Sequence, residues 1–325
     1  MSGELIVGDM HLKVSNLDGV RAILAWLLGV ARTERPTRVI LLGDVFHTHA
    51  VVRSEVLREF TAFVVSMSSI APLICVVGNH DMASATQESV HALEPFKQYT
   101  NVTVVDIPTV IDGDLFIPFC SSADAWLLAF DAFPTVKRVY CHQPFLGADM
   151  GFVKSIDGVP VPTRGTPIIS GHIHIAQQLG DVWFPGSLYA QESADADQTK
   201  GAYLVTSQSH RLIEAPMPRW RNFHATTADY EAVISQMLPT DHNHLVLAGP
   251  SAELTAVLAS DLFKKLKRAH RFSLRKEPTS NTKVAARVSA KSVKDAVTSY
   301  IENVYSGGVD KAALTAACLE VLSDG

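Results

Sequence analysis

Five short runs of branched apolar residues, each leading into a polar cluster, constrain this chain more than any other feature. Leu5-Ile6-Val7 leads into Gly8-Asp9-Met10-His11. Residues 38–42 lead into Gly43-Asp44, and 73–77 into Gly78-Asn79-His80-Asp81. Arg138-Val139-Tyr140-Cys141 leads into His142, and Pro167-Ile168-Ile169-Ser170 into Gly171-His172-Ile173-His174. Unbroken β-branched runs of this length read as strands covered on both faces. Between the first three lie patterns of helical spacing: Val20, Ile23, Leu24, Leu27 and Leu28 within 17–31, then Val56, Leu57, Phe60, Phe63 and Val64 within 54–65. Alternating strand and helix predicts an α/β core. Ligands in such folds gather beyond the carboxyl ends of the strands, which is where all five clusters fall.

The later chain changes character. Residues 102–107 and 115–119 read as strands and 202–213 as a hairpin. Pro216 and Pro218 cannot both sit in a helix interior and mark 216–220 as a connector. A helix over 228–238, a strand over 244–248, a helix over 252–267 and a strand over 270–274 follow, making a small α+β unit. A polar joint at 279–282 precedes two amphipathic helices, 292–305 and 310–322, separated by Gly307-Gly308. The expected divisions are a core at 1–223, the α+β unit at 224–278, a linker at 279–285 and C-terminal helices at 286–325. The 325 residues, at ~150 per domain, agree with roughly two domains.

A hydrophobic share of 47% against 19% charged excludes a disordered chain. The longest apolar stretches, 23–31 and 63–77, are too short or too broken to span a bilayer. Glu4 and Asp9 stand where a secretory leader would be basic and then apolar. The four cysteines form no CxxC, and Cys75 and Cys141 lie in apolar runs. A reducing, cytoplasmic protein with no membrane segment is therefore expected. The net charge of −5 conceals an asymmetry. Residues 264–325 hold 12 Lys+Arg against 6 Asp+Glu, and residues 1–263 hold 16 against 27. Lys264, Lys265, Lys267, Arg268, Arg271 and Arg275 lead the basic part, which is either a surface for a polyanion or a solvated helix face.

Asp9, His11, Asp44, Asn79, His142, His172 and His174 offer carboxylate, amide and imidazole donors. That mixture suits first-row ions such as Mn, Fe and Zn rather than a thiolate site. Seven donors exceed the needs of one tetrahedral ion and suit two ions sharing a bridge. Asp9-x-His11 and His172-x-His174 each project two donors the same way from extended backbone. Asp44 stands alone after its strand, as a bridging carboxylate would. Any one motif is most simply a satisfied or exposed histidine. With all five in order, each at a strand end, the serious alternative is a degenerate relative without metal.

The ordered series D-x-H, G-D, G-N-H-D, H and G-H-x-H resembles the calcineurin-like metallophosphoesterase superfamily, and residues 9–174 carry every member of it. The resemblance implies a four-layer αββα sandwich. It also implies two divalent cations, Mn2+ first, with Fe2+ or Zn2+ as alternatives. Asp9, His11, Asp44 and His174 would hold one cation, and Asp44, Asn79, His142 and His172 the other. His80 would face the substrate as proton donor or phosphate stabiliser, oriented by a carboxylate for which Asp81 is the nearby residue.

Shorter fragments, Gly43-Asp44-Val45-Phe46-His47, Cys141-His142-Gln143 and Phe184-Pro185-Gly186-Ser187, are similar to the SbcD-type branch. These are DNA double-strand-break repair nucleases that work with an SMC-like, SbcC-type ATPase. Met217 to Phe223 sits where that branch leaves its core. The branch implies that 224–278 is a capping domain and that 286–325 docks on the ATPase coiled coil. It also implies a homodimer through core helices around 54–65, and DNA held through phosphate contacts by the basic 264–294 stretch. The docking stripes would be Val288, Val293, Val297, Ile301 and Val304, then Leu314, Ala317, Cys318, Val321 and Leu322, although such stripes more often pack on each other. The short chain resembles a compact bacterial or phage version. The same motifs fit a small-molecule or protein phosphoesterase, or a non-catalytic scaffold gripping DNA or the ATPase. His47 and His49 read as polar loop residues in preference to substrate contacts, Trp220 as a buried anchor, and Tyr189 and Gln191 as residues facing DNA.

Overall fold

The computed structural model describes residues 3–84, 90–151, 153–206, 209–279, 298, 301 and 310–321. The apolar runs form two six-stranded sheets. β1 (Glu4–Val7), β2 (Val39–Leu41), β3 (Leu73–Val76) and β4 (Val102–Val105) lie parallel in the first sheet. The chain then crosses to the second sheet. There β5 (Thr109–Ile111), β6 (Asp114–Ile117), β7 (Val139–His142), β8 (Ile168–Gly171), β9 (Gln177–Leu179) and β10 (Val182–Phe184) take the order β5-β6-β7-β8-β10-β9. It returns with β11 (Gly201–Val205) and β12 (His210–Glu214), which extend the first sheet antiparallel beyond β1.

Alternation within each strand explains why the runs contain no polar break. Leu5, Val7, Val39, Leu41, Leu73 and Cys75 face outward to α1 (Leu17–Glu34) and α2 (Ser54–Ser68). Ile6, Ile40, Ile74 and Val76 face inward, meeting Phe116, Tyr140 and Ile169 of the second sheet. Leu115, Ile117, Val139 and Cys141 face outward again, against Trp126 and Phe130 of α3 (Ala123–Asp131). The result is four layers, helix–sheet–sheet–helix. Each fully buried side chain contributes about 1.5–3 kcal/mol of transfer free energy. Residues 14–34 are long and apolar enough to cross a membrane by length and composition. In the fold, Val20, Ile23, Leu24 and Leu27 of this helix are buried in the core, while Asp18, Arg21 and Arg32 are exposed.

At the amino ends of the central strands a charge network joins the two sheets. Arg138 donates to both oxygens of Glu4 (2.8 and 3.1 Å) and to Asp114 (2.9 Å). Arg38 donates to Glu4 (2.8 Å) and to Asp114, and the Tyr140 hydroxyl donates to Glu4 (2.6 Å).

The small unit has three parallel strands, β13 (Trp220–Thr226), β14 (His242–Gly249) and β15 (Phe272–Pro278), packed with α4 (Tyr230–Ile234), α5 (Ser251–Ala259) and α6 (Asp261–His270). The helix expected over 228–238 is shorter, Tyr230–Ile234, the strand expected over 244–248 is longer, His242–Gly249, and three further details differ from the sequence reading. The unit's sheet starts at Trp220 rather than 224, because the chain leaving Pro218 pairs at once with β14, Trp220 opposite His242. The single helix expected over 252–267 is two, since Ser260 Oγ accepts the Phe263 N–H (3.1 Å) and starts α6 afresh. The last strand starts at Phe272, not 270, because Arg271 at φ 47° closes α6 with an N–H bond to the Lys267 carbonyl. α7 (Lys311–Val321) coincides with the second C-terminal helix. The linker from 280 and the first C-terminal helix, apart from 298 and 301, lie outside the described residues.

Candidate metal centre

Three donors stand on left-handed backbone just past buried strands: His11 at φ 42°, Asp44 at φ 48° and His172 at φ 77°. Non-glycine residues there cost roughly 1–3 kcal/mol each and persist only where the surroundings hold them. Here the N–H groups of Met10 and His11 both donate to the Asp44 carbonyl (3.1 and 2.9 Å), which ties the first two strand exits together. Close approach also dictates two glycines. A Cβ on Gly78 would lie 2.3 Å from Asp44 Oδ1, and one on Gly43, itself at φ 97°, 2.4 Å from His142 Nδ1.

The strand ends bring all seven expected donors together in two groups that share one carboxylate. In the first, His11 Nε2 lies 3.1 Å from His174 Nε2 and 3.6 Å from Asp44 Oδ2, and His174 Nε2 lies 3.6 Å from Asp9 Oδ2. In the second, His142 Nε2 lies 3.3 Å from the same Asp44 Oδ2 and 3.0 Å from Asn79 Oδ1. His172 Nδ1 is 3.0 Å from Asn79 Oδ1 and 3.3 Å from His142 Nε2.

This packing crowds the donors against one another, and the oxygen it leaves without a hydrogen-bond partner among the described residues, Asp9 Oδ2, tests whether cations fit. Two imidazole nitrogens 3.1 Å apart offer at most one useful hydrogen bond. His142 already donates from Nδ1 to the Leu42 carbonyl (2.7 Å), so its Nε2 turns toward oxygen lone pairs. Asp9 is buried, and although Oδ1 accepts the His172 N–H (3.0 Å), Oδ2 has no hydrogen-bond partner among the described residues. A positive ion in each group would resolve all of these conflicts, so the donor set fits two divalent cations. Electrostatics agrees. Burial, against the pull of Asp44, pushes His11 down to about 2, and burial together with His142 takes His172 to about 3, so both imidazoles are neutral near pH 7. Burial raises Asp9. Burial opposes charge on His142, yet Asp44 and Asp9 outweigh it and hold it at about 9. Burial works against the Asp44 carboxylate too, but His142 and His11 keep it below the usual carboxylate range.

His80 lies at the edge of the centre, its ring 4.7 Å from that of His11. Its N–H donates to Asp44 Oδ1 (2.8 Å) and its Nδ1 to the His47 carbonyl (2.7 Å). The expectation that Asp81 orients the His80 ring is therefore corrected. Asp81 is buried and accepts the N–H groups of Phe46 (3.0 Å) and Gly78 (3.0 Å), clamping the second and third strand exits. Burial, reinforced by Asp44, pushes it up to about 7. Asp81 is a positioning residue. His49 stacks on His80 at 4.5 Å and His47 lies 5.4 Å from His11, so both exposed loop histidines line the mouth. Tyr189 and Gln191 do not face outward. Tyr189 is 4% exposed with its hydroxyl toward the His11 carbonyl, and Gln191 donates to the Met10 carbonyl (3.3 Å). Both brace the loop of Asp9 and His11 from behind.

Sequence reasoning missed three supporting residues. Lys200 is buried and donates to Asp195 Oδ1 (2.8 Å) and to the His174 carbonyl, and burial lowers its pKa. Asp195 Oδ2 lies 4.0 Å from His174 Nδ1 and accepts the Gln191 N–H (2.7 Å). Phe119 stacks on His172 at 6.0 Å. The six basic candidates are all exposed and belong to the small unit. Lys264, Lys265 and Arg268 line one open recess, Arg271 lines another, and Arg275 lies on β15, 3.3 Å from Glu277.

The family model for calcineurin-like phosphoesterases matches residues 5–176, the stretch that supplies every donor. "Putative phosphoesterase 244L" of Invertebrate iridescent virus 6 is 24% identical over 249 residues, covering 71% of this chain and 88% of that protein. "Putative phosphoesterase 078R" of Invertebrate iridescent virus 3 is 25% identical over 284 residues, covering 81% and 80%. Among solved structures, the Pseudomonas putida nuclease MPE is 18% identical with a TM-score of 0.34, covering 65% of this chain and 84% of that one.

Proposed function

The chain belongs to the calcineurin-like phosphoesterase family, and from that premise we propose that it hydrolyses phosphodiester bonds of DNA at two divalent cations, Mn2+ first and Fe2+ or Zn2+ as alternatives. The observation that carries this reading is the placement of Asp44 Oδ2 within 3.6 Å of His11 Nε2 and 3.3 Å of His142 Nε2, one nitrogen from each donor group. Asp9, His11, Asp44 and His174 would hold one cation, and Asp44, Asn79, His142 and His172 the other. Such a pair supplies activated water at neutral pH and neutralises charge developing on the phosphoryl oxygens.

The chain's own residues do the rest. Donation from Nδ1 to the His47 carbonyl orients the His80 ring, and in the imidazolium form its Nε2–H would protonate the departing oxygen or stabilise phosphate charge. His47 and His49 present further imidazoles to the incoming phosphate. Asp81 keeps the loop bearing Asn79 and His80 against the loop bearing Asp44. The exposed cations of α6 and β15 favour a polyanionic substrate over a small neutral one. The same reading assigns residues 286–325 to docking on a coiled-coil SMC-like ATPase and the face around α2 to a homodimer. Removing 286–325 would abolish ATPase binding and spare diester cleavage.

The deciding assay offers linear duplex DNA, single-stranded DNA, bis-p-nitrophenyl phosphate and p-nitrophenyl phosphate, each with Mn2+. Cleavage of DNA and of the diester supports the reading. Monoester turnover without DNA cleavage refutes it and favours a small-molecule phosphoesterase. One observation supports that second reading: a crevice of about 160 Å3 beside His47, lined by Leu12, Val14, Phe46 and Val56 together with Lys13 and Arg53, would seat a small leaving group.

A further inference from the structure

The small unit carries an open recess of about 410 Å3 lined by Trp220, Thr240, Asp241, His242, Arg271 and Ser273. That volume lies within the roughly 300–1,000 Å3 usual for ligand sites. Trp220 opens β13 and His242 opens β14 directly opposite, with rings 4.8 Å apart and tilted by 31°. Trp220 is only half-buried and His242 is exposed, so the pair presents an aromatic surface instead of filling the core. Arg271 is exposed and has no ion-pair partner among the described residues. Its backbone is fixed at φ 47° by the bond from its N–H to the Lys267 carbonyl (3.1 Å). The one carboxylate in the recess, Asp241, is engaged by Arg221 (3.5 Å) and the Arg219 N–H (3.1 Å).

An aromatic surface beside an unengaged guanidinium matches one ligand chemistry well: a planar base joined to a phosphate. We propose that this recess takes an unstacked base of single-stranded nucleic acid, the base against Trp220 and His242 and the adjoining phosphate on Arg271. The proposal rests on the nuclease reading of the metal centre. Two connections give the strand a course. Arg271 directly follows α6, whose Lys264, Lys265 and Arg268 line a recess of about 500 Å3 together with Asp261, which pairs with Lys264 (3.6 Å) and leaves Lys265 and Arg268 for further phosphate contacts. In the other direction the Trp220 carbonyl accepts the Asp197 N–H (2.9 Å), and Asp197 lies between Asp195 and Lys200, the pair that supports His174.

The test measures binding of a labelled oligothymidylate, and of an abasic strand of equal length, to the full chain in chelator so that neither is cut. Oligothymidylate binds more tightly, and Trp220→Leu or His242→Ala weakens it about ten-fold toward the abasic value. Trp220→Phe preserves the difference, and Arg271→Gln weakens both strands alike with a shallower salt dependence. Turnover of bis-p-nitrophenyl phosphate with Mn2+ stays unchanged in all four variants and reports correct folding. His242→Ala, on an exposed side chain, serves if Trp220→Leu fails to fold. Equal binding of the two strands by the unaltered protein, or no binding of either, overturns the proposal. Equal binding combined with DNA cleavage would sink the recess alone and leave the nuclease reading standing. A base preference lost in His242→Ala, without DNA cleavage by the unaltered protein, would sink the nuclease reading alone.

Discussion

The two ends of the same sandwich treat charge in opposite ways. At the amino ends of the central strands, every oxygen of Glu4 and Asp114 meets a guanidinium or the Tyr140 hydroxyl. At the carboxyl ends, imidazole faces imidazole, and the buried Asp9 Oδ2 has no hydrogen-bond donor among the described residues. Both clusters are buried, and both join the two sheets. The first pairs all of its carboxylate oxygens within the protein and serves the fold. The second is compensated only in part, by the proton that His142 holds, and a cation in each group would complete it, since an uncompensated buried charge is far costlier than a paired one. Stability and function therefore divide along the strand direction, and the two ends respond to different perturbations.

The largest expected contrast comes from one carboxylate at each end. Asp44→Asn removes the shared anion, so metal content falls in both groups. Turnover should then drop by more than the 10–100-fold typical of losing a residue that merely supports a ligand. Asp114→Asn should leave metal content and turnover per folded molecule intact while lowering stability by about 3–5 kcal/mol. Plasma emission analysis and denaturant unfolding of the two variants check this, and metal loss in Asp114→Asn would erase the distinction. Next in size is His80→Ala, which keeps its cations and loses roughly 10²–10⁴ in turnover; a near-normal rate would remove His80 from the chemistry. Asp195→Asn and Lys200→Met disturb the support of His174 and should weaken metal affinity about 10–100-fold, read by competition with a chromophoric chelator. Unaltered affinity would make that pair purely structural.

The smallest effect is a pH dependence confined to the carboxyl end of the chelated protein. His142, held at about 9 against an ordinary 6.5, contributes stability that is full below 6.5 and is lost as pH rises through 9. His11 and His172, held at about 2 and about 3, contribute stability present above 6.5 and lost as pH falls below it. Asp9 and Asp81, both raised by burial, favour the folded state at low pH and oppose that acid loss, so the melting temperature of the chelated protein should fall as pH rises from 6.5 through about 9. Binding of cations displaces the His142 proton and removes the alkaline decline. A flat profile for chelated protein, or an alkaline decline that survives Mn2+, would contradict this assignment.

The same contrast explains what the amino-acid sequence reveals. Runs such as Leu73 to Val77 are legible because a strand buried on both faces admits no polar residue. The donors are legible because each sits within a few residues of such a run. The amino-end network is not, since Glu4, Arg38, Asp114 and Arg138 are far apart in sequence and look like ordinary charges at strand starts. Lys200 is hidden for the same reason: nothing local marks a lysine as buried. Asp81 shows the limit of adjacency, because sitting beside His80 in sequence does not say which way its carboxylate points, and it points to the Phe46 and Gly78 amides. In the small unit the apolar pattern continues smoothly across Ser260, so the helix break there depends on a hydroxyl capping bond that periodicity does not register. The two prolines likewise mask how soon β13 begins after them.

Anomalous diffraction from crystals grown with Mn2+ would decide whether two cations share Asp44. Two peaks should flank Asp44 Oδ2, one within ligand distance of Asp9, His11 and His174, the other of Asn79, His142 and His172. A cluster without anomalous density, or one peak remote from Asp44, would contradict it.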